Sequence, residues 1–176
     1  MVLRIPANAI DLTLPNDRQA LKDGGYVFAE GIRNSFDLEF SPDGDLFGTE
    51  NAGDRDDSEE LNWIREGRHY GFPWRIGTSV TPQQFPGYDP SADPFVQPDR
   101  NPDNQADIGW YFSDDPTYPP PPAGVTFADP IPNAGPFADH FRDPTTGAVM
   151  DASDEGVTSG TFTSHRSPLG LVFDAD

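Results

Sequence analysis

Residues 36–50 read F-D-L-E-F-S-P-D-G-D-L-F-G-T-E, two extended runs joined by S-P-D-G (41–44). Proline presets the corner, aspartate bonds back to nearby backbone and glycine accepts a positive φ, so these four residues reverse the chain. The flanking runs are short and carry Phe, Leu and Thr, which fit a pleated, half-buried surface. The stretch predicts an antiparallel hairpin. Upstream, Y-V-F-A-E (26–30) is another short apolar run. Downstream, E-L-N-W-I-R (60–65) is a further one, closed by E-G-R-H-Y-G-F-P-W (66–74). Short antiparallel strands with tight turns are the pattern of a sandwich or a propeller blade, so the fold class read here is all-β.

Between the hairpin and the next strand lies T-E-N-A-G-D-R-D-D-S-E-E (49–60), with six carboxylates from Glu50 to Glu60. Like charges at this density are either screened by water or neutralised by a cation or ligand. Calcium takes six to eight oxygens in irregular cages and suits the second case. Arg55, inside the run, offers a local counter-charge for the first.

Composition narrows the classes. The chain has 176 residues, enough for one domain, with 17 glycines, 20 prolines and a hydrophobic share of 35%. Aromatics at 12% supply a core and argue against wholesale disorder. The formal charge of -19 arises from 30 acids against 11 bases. Such a field repels nucleic acid and anionic membranes, which excludes both as partners. It equally fits a solvated acidic surface. With no cysteine there is no disulfide, zinc-thiolate site or thiol nucleophile. No run is long and apolar enough for a membrane span, and the first ten residues do not read as a signal peptide.

The expected organisation is a single partial domain over 1–176. Blade-like hairpins occupy 25–74, and a Pro- and Asp-rich irregular insertion containing P-P-P-P (119–122) occupies 75–160. The start of a next blade follows over 161–176. Within the insertion D-I-G-W-Y-F (107–112) reads as a strand, and L-G-L-V-F (169–173) reads as a strand at the C-terminus. A terminal strand with nothing to pair against leaves an exposed sheet edge, which calls for a protein partner to cover it or for further chain.

Five blocks in order, G-I-R-N (31–34), S-P-D-G-D-L-F-G-T-E-N (41–51), the acidic loop, E-L-N-W-I (60–64) and G-R-H-Y-G-F-P-W (67–74), together resemble the glucose/sorbosone dehydrogenase family. These are soluble sugar dehydrogenases that use pyrroloquinoline quinone (PQQ). H-R-S-P-L-G-L-V-F (165–173) is similar to the start of that family's next blade. The resemblance implies a six-bladed β-propeller more than twice this length, of which this chain is a partial piece of about one to two blades. It implies a periplasmic or secreted oxidoreductase that needs calcium and oxidises the C1 hydroxyl of an aldose. No signal peptide is read in this chain, so the location rests on the resemblance.

The same resemblance implies roles for particular residues. Arg33 and Asn34 match the pair facing the quinone. A tricarboxylate cofactor suits a planar guanidinium, and an amide serves ring substituents of either polarity. Asn51 joins the cofactor-binding set. Ala52 and Gly53 stand where the family has a Gln-Gly-Pro-like segment whose carbonyls hold the cofactor's calcium. Glu60 matches an acid at a second, structural calcium, with Asp57 and Glu59 as co-ligands. His165 lies where the family places residues roofing the cofactor. Arg33, Asn34 and His165 should converge on one side of the folded chain, close to the Asn51–Gly53 backbone. His69 is expected to be structural, and His140 has no partner pattern.

No catalytic residue is assigned. The family's base is a His upstream of the R-N block, and none of the 30 residues before Gly31 is His. The expectation is therefore a fragment of a quinone- and calcium-dependent aldose dehydrogenase, inactive by itself. The alternative is a non-catalytic calcium-binding structural or interaction subunit derived from the same propeller. A hydrolase built on paired carboxylates is the weakest reading, because in so acidic a chain pairing by spacing carries no information.

Overall fold

The computed structural model describes residues 1–53, 55–81, 87–96, 119–133, 135, 138, 140–143 and 145–174. Among them the chain is all-β, with small antiparallel sheets, two short α-helices and a single 3-10 turn at Pro90–Ala92. The expected strand at 107–112 lies outside the described residues. No described helix is long and apolar enough to cross a membrane.

The largest sheet is the one read from residues 36–65. Strands β3 (Ser35–Phe40), β4 (Leu46–Glu50) and β5 (Glu60–Ile64) pair in that order, each antiparallel to the next. The S-P-D-G corner closes as anticipated: the Gly44 N–H donates to Ser41 O at 2.9 Å, and Gly44 has φ 86°. At the centre of the sheet Gly48 faces Leu38 and Asn62. A Cβ there would lie 2.8 Å from Leu38 Cδ2 and 2.9 Å from Ile64 Cδ1, so these side chains close over β4 at a glycine and any larger residue would make them shift.

The core sits against one face of this sheet. Ala29, Ile64, Tyr70 and Ala128 form its buried centre, with Val2, Phe28, Ile32 and Leu46 packed around them. Tyr70 is a pin as well as a filler. Its hydroxyl donates to Trp63 O at 2.6 Å and accepts from Arg65 N at 2.8 Å, closing the end of β5. The run at 26–30 becomes β2 (Val27–Ala29), which pairs with β1 (Val2–Leu3). A short helix α1 (Arg18–Asp23), capped by the Asp17 side chain on Ala20 N–H, precedes β2.

His69 is buried, as a structural residue would be. It packs tilted against Phe127 and Trp74, with centroids 5.0 and 5.7 Å away, those two rings being stacked on each other, and its Nδ1 accepts from the Gly71 N–H. Burial lowers its pKa, so it is held neutral. Gly31 runs so close to the ring that a Cβ would lie 2.3 Å from Nδ1, and its φ is 72°. The turn leading into Arg33 therefore needs glycine on both counts.

The described part of 75–160 is less irregular than its composition predicts. It holds the hairpin β6 (Arg75–Ile76) with β7 (Ser79–Val80), the pair β8 (His140–Arg142) with β9 (Val149–Asp151), and the short helix α2 (Ala152–Glu155). L-G-L-V-F, by contrast, forms no strand. The Leu171 N–H donates to the Asp37 side chain instead of a ladder carbonyl, Phe173 packs on Phe47, and Val172 is 88% exposed. Without a neighbouring strand, apolar alternation has no ladder to join. Among the described residues β3 is a sheet edge, and its Phe36, Leu38 and Phe40 are exposed.

Candidate functional site

The acidic run answers its own question by burial: Arg55, Asp56, Asp57, Ser58, Glu59 and Glu60 are each at most 6% exposed. Water does not screen them. β4 ends at Glu50 and β5 begins at Glu60. The described carboxylates of the run are compensated in different ways at its two ends.

Asp57 is held by Arg55, whose Nη1 donates to both carboxylate oxygens at 2.8 and 3.0 Å. The same guanidinium donates from Nε and Nη2 to Asp93, and Phe95 covers it at 4.8 Å. Two carboxylates thus share one cation. Burial outweighs the guanidinium at Asp57 and pushes its carboxyl up to about 7, while Asp93 stays low, since its bonds from Arg55 and Tyr88 offset its burial. Asp57 therefore stands apart from the expected calcium ligands.

Glu60 faces Glu50 directly across β4 and β5. Asn62 bridges them, donating from Nδ2 to Glu60 at 2.8 Å and Glu50 at 3.3 Å, and the Gly77 N–H donates to Glu60 at 2.6 Å. Burial and the facing Glu50 push Glu60 up to about 8, and burial raises Glu50 as well. At neutral pH the pair shares a proton. The Asn62 Oδ1 beside them is buried without a partner. Among the described residues no group of three or more His, Cys, Asp or Glu side chains is arranged to hold a metal.

Above this pair opens a cleft of about 430 Å³, lined in part by Arg33, Asn34, Asn51, Ala52, Gly53 and Glu59, with His165, Ser167 and Leu169 on the other side. All four residues read as cofactor-binding meet here, with three of the five read as metal ligands. Asp57 and Glu60 do not join them.

Glu50 sets the geometry of the first wall. Its Oε1 accepts from the backbone N–H of Arg33 and from that of Asn34, which fixes the R-N turn over the end of β4. The Arg33 side chain then reaches back, and Nη1 donates to Asn51 O at 3.0 Å and Ala52 O at 2.9 Å. Two carbonyls aimed at one positive group are a cation-binding arrangement, and here the guanidinium fills it. Asn51 Oδ1, also buried at the cleft, has no partner.

The opposite wall comes from the C-terminal segment. His165 and Ser167 adopt left-handed backbone, with φ 62° and 50°, a conformation costing about 1–3 kcal/mol that persists only where surroundings impose it. Here they do. His165 Nε2 bonds Asp56 Oδ1 at 3.0 Å, and the Ser167 N–H donates to Glu59 Oε2 at 2.7 Å. Burial raises Glu59 despite that bond.

Glu50 and Asp56 are the positioning residues that the sequence reading missed. Both stand in the acidic run, but their partners, the Arg33–Asn34 backbone and His165, are not neighbours in sequence. The oxygens present fit a hard cation: two convergent carbonyls, the orphaned Asn51 Oδ1 and the Glu59 carboxylate. The basic and amide groups fit an anionic ligand beside it. Comparison with family models, with curated proteins and with solved structures gives no match to the chain.

Proposed function

We propose that this chain carries the cofactor wall of a quinone- and calcium-dependent aldose dehydrogenase, with β3–β4–β5 as part of a propeller blade. One observation carries the reading. Arg33 and His165, far apart in sequence, meet at one cleft with the Asn51–Ala52 carbonyls between them.

In this reading Arg33 and Asn34 bind the carboxylate and carbonyl edge of PQQ, and Glu50 holds both at the correct height. The Asn51 and Ala52 carbonyls with Glu59 hold the cofactor's calcium. His165, oriented by Asp56, covers the ring. When bound, the quinone supplies a two-electron acceptor for the hydride from the sugar's C1. The protein's part is to orient that acceptor and to keep water from it. The proton of the C1 hydroxyl has no assigned base in this chain. A periplasmic or secreted setting belongs to the same proposal.

The test is a titration of the chain with PQQ in the presence and absence of calcium, followed by the quinone's absorption. Calcium-dependent binding is expected, weakened at least tenfold by Arg33→Ala and without glucose-dependent dye reduction. Absence of PQQ binding at millimolar calcium by a folded chain would sink the reading.

The uncovered β3 face favours a second reading, a non-catalytic subunit whose partner seats on Phe36, Leu38 and Phe40. A quinone-free chain that is monodisperse only with a partner would support it.

A further inference from the structure

A second, larger cavity of about 950 Å³ lies on the other side of the acidic run, between β7, the turn at Pro90–Ala92, β8–β9 and residues 157–159. It sits at the upper end of the about 300–1,000 Å³ range of small-molecule sites. We infer that it is a binding site for a neutral polyhydroxylated ligand, a saccharide, independent of the quinone reading.

The chemistry of the walls carries this. Arg55 is spent, since its three nitrogens are all bonded to Asp57, Asp93 and Val80 O. Arg142 is partly free. Its Nε donates to Asp56 at 2.8 Å and its Nη1 to Gly147 O, which leaves Nη2 of this cavity-lining residue without a partner among the described residues. The hydroxyls of Ser79 and Thr158 are likewise unpartnered there. Phe141 and Met150 add apolar wall between these polar groups. Hydroxyls that both donate and accept, carried on a ring with an apolar face, match such a mixture.

Charge excludes the alternatives. The two guanidinium groups are balanced by Asp57, Asp93 and Asp56, and the rim adds Asp89, Asp143 and Glu155. An anion would enter against that excess and the chain's net -19. A cation would find the buried carboxylates already paired, and Asp89 and Asp143 each commit one oxygen to capping a turn. A neutral ligand needs none of these pairs broken.

Asp56 ties this cavity to the cleft, because one of its oxygens takes Arg142 Nε and the other His165 Nε2. A ligand that draws on Arg142 therefore changes the environment of His165 across the run.

The experiment is ligand-observed and imidazole-detected NMR of the quinone-free chain with maltose, glucuronate and glucosamine as probes. Maltose should bind best and shift the His165 ring resonances. Arg142→Lys keeps the charge facing Asp56 but lacks the planar fork, and should weaken maltose by about tenfold, the worth of one charge-assisted hydrogen bond. Thr158→Val, at an exposed position, serves as the variant that cannot unfold the chain and should weaken it less. Arg33→Ala should leave maltose unaffected, which separates this site from the quinone cleft. No maltose binding, stronger binding of either charged sugar, or maltose binding unchanged in both Arg142→Lys and Thr158→Val would overturn the inference.

Discussion

At the Arg55 end of the acidic run, Asp57 and Asp93 share one buried guanidinium; at the Glu60 end, two carboxylates face each other across β4 and β5. The first pair has a fixed counter-charge supplied by sequence. The second has backbone and amide donors and, at neutral pH, a proton. Both are fully desolvated, so the difference lies in what can be exchanged. A guanidinium stays charged at any working pH, whereas a shared proton can be traded for pH or for a metal ion. The Arg55 end is thereby a structural clamp, and the Glu60 end is the responsive one.

The largest effect should come from removing the clamp. Arg55→Ala leaves two carboxylates buried without their partner, and breaking a buried pair in this way costs about 3–5 kcal/mol. Urea denaturation should register a loss of that size, enough to unfold much of a marginal domain. A loss under about 1 kcal/mol would mean the guanidinium is not what compensates Asp57 and Asp93.

The next effect is pH dependence, led by the responsive end and joined by Asp57 beside the clamp. Glu60 rises from 4.5 to about 8, and Asp57 from 3.8 to about 7. Between those values the folded chain keeps protons that the unfolded chain has released. The associated stability is complete below about pH 4 and drains away as pH climbs to about 8. Glu60→Gln keeps the shape without the charge. Its melting temperature should fall less between pH 5 and 8 than that of the parent chain. Parallel curves for the two proteins would place the titrating group elsewhere.

Calcium should act in the opposite sense to the proton it replaces. If a divalent ion takes the Glu50–Glu60 pair, added calcium should raise the melting temperature more at pH 8 than at pH 5. At a hundredfold excess over its dissociation constant, binding to the folded state alone contributes about 2.7 kcal/mol. Glu60→Gln should remove most of that gain if the ion takes this pair, and leave it if the ion sits at the Asn51 and Ala52 carbonyls with Glu59. An equal calcium response at both pH values would separate the ion from this pair.

How much of this was legible beforehand differs between the same two ends. The hairpin over 36–50 and β5 follow from local signals, since turn chemistry and strand pattern lie within a few residues of each other. The convergence of Arg33, Asn34, Asn51 and His165 on one cleft was expected from the family likeness. Burial of the acidic run was left open, because the decisive partners are remote: Asp93 for Arg55, Gly77 for Glu60, and Ser167 for Glu59. The pairing of β1 with β2 was invisible for a different reason. Val2–Leu3 is two residues long, too short for alternation to register. L-G-L-V-F failed the other way, a clear pattern whose ladder partner is missing among the described residues.

The smallest change in stability, and the finest separation of the two ends, should come from Arg33. Its side chain is exposed and its backbone N–H, not its guanidinium, is what Glu50 holds. Arg33→Met therefore leaves the turn anchored and should shift stability by less than about 1 kcal/mol, as exposed positions do. Its effect on ligands should be divided. The guanidinium now satisfies the Asn51 and Ala52 carbonyls, so removing it frees two oxygens and takes a positive charge away from any incoming cation. Calcium affinity at the cleft should then rise, while affinity for an anionic quinone falls. Calorimetry of Arg33→Met with calcium alone, and then with PQQ added, reads both. Calcium binding that weakens in Arg33→Met would show that the guanidinium supports the cation site instead of competing for it, and the carbonyl pair would lose its assignment as the calcium seat.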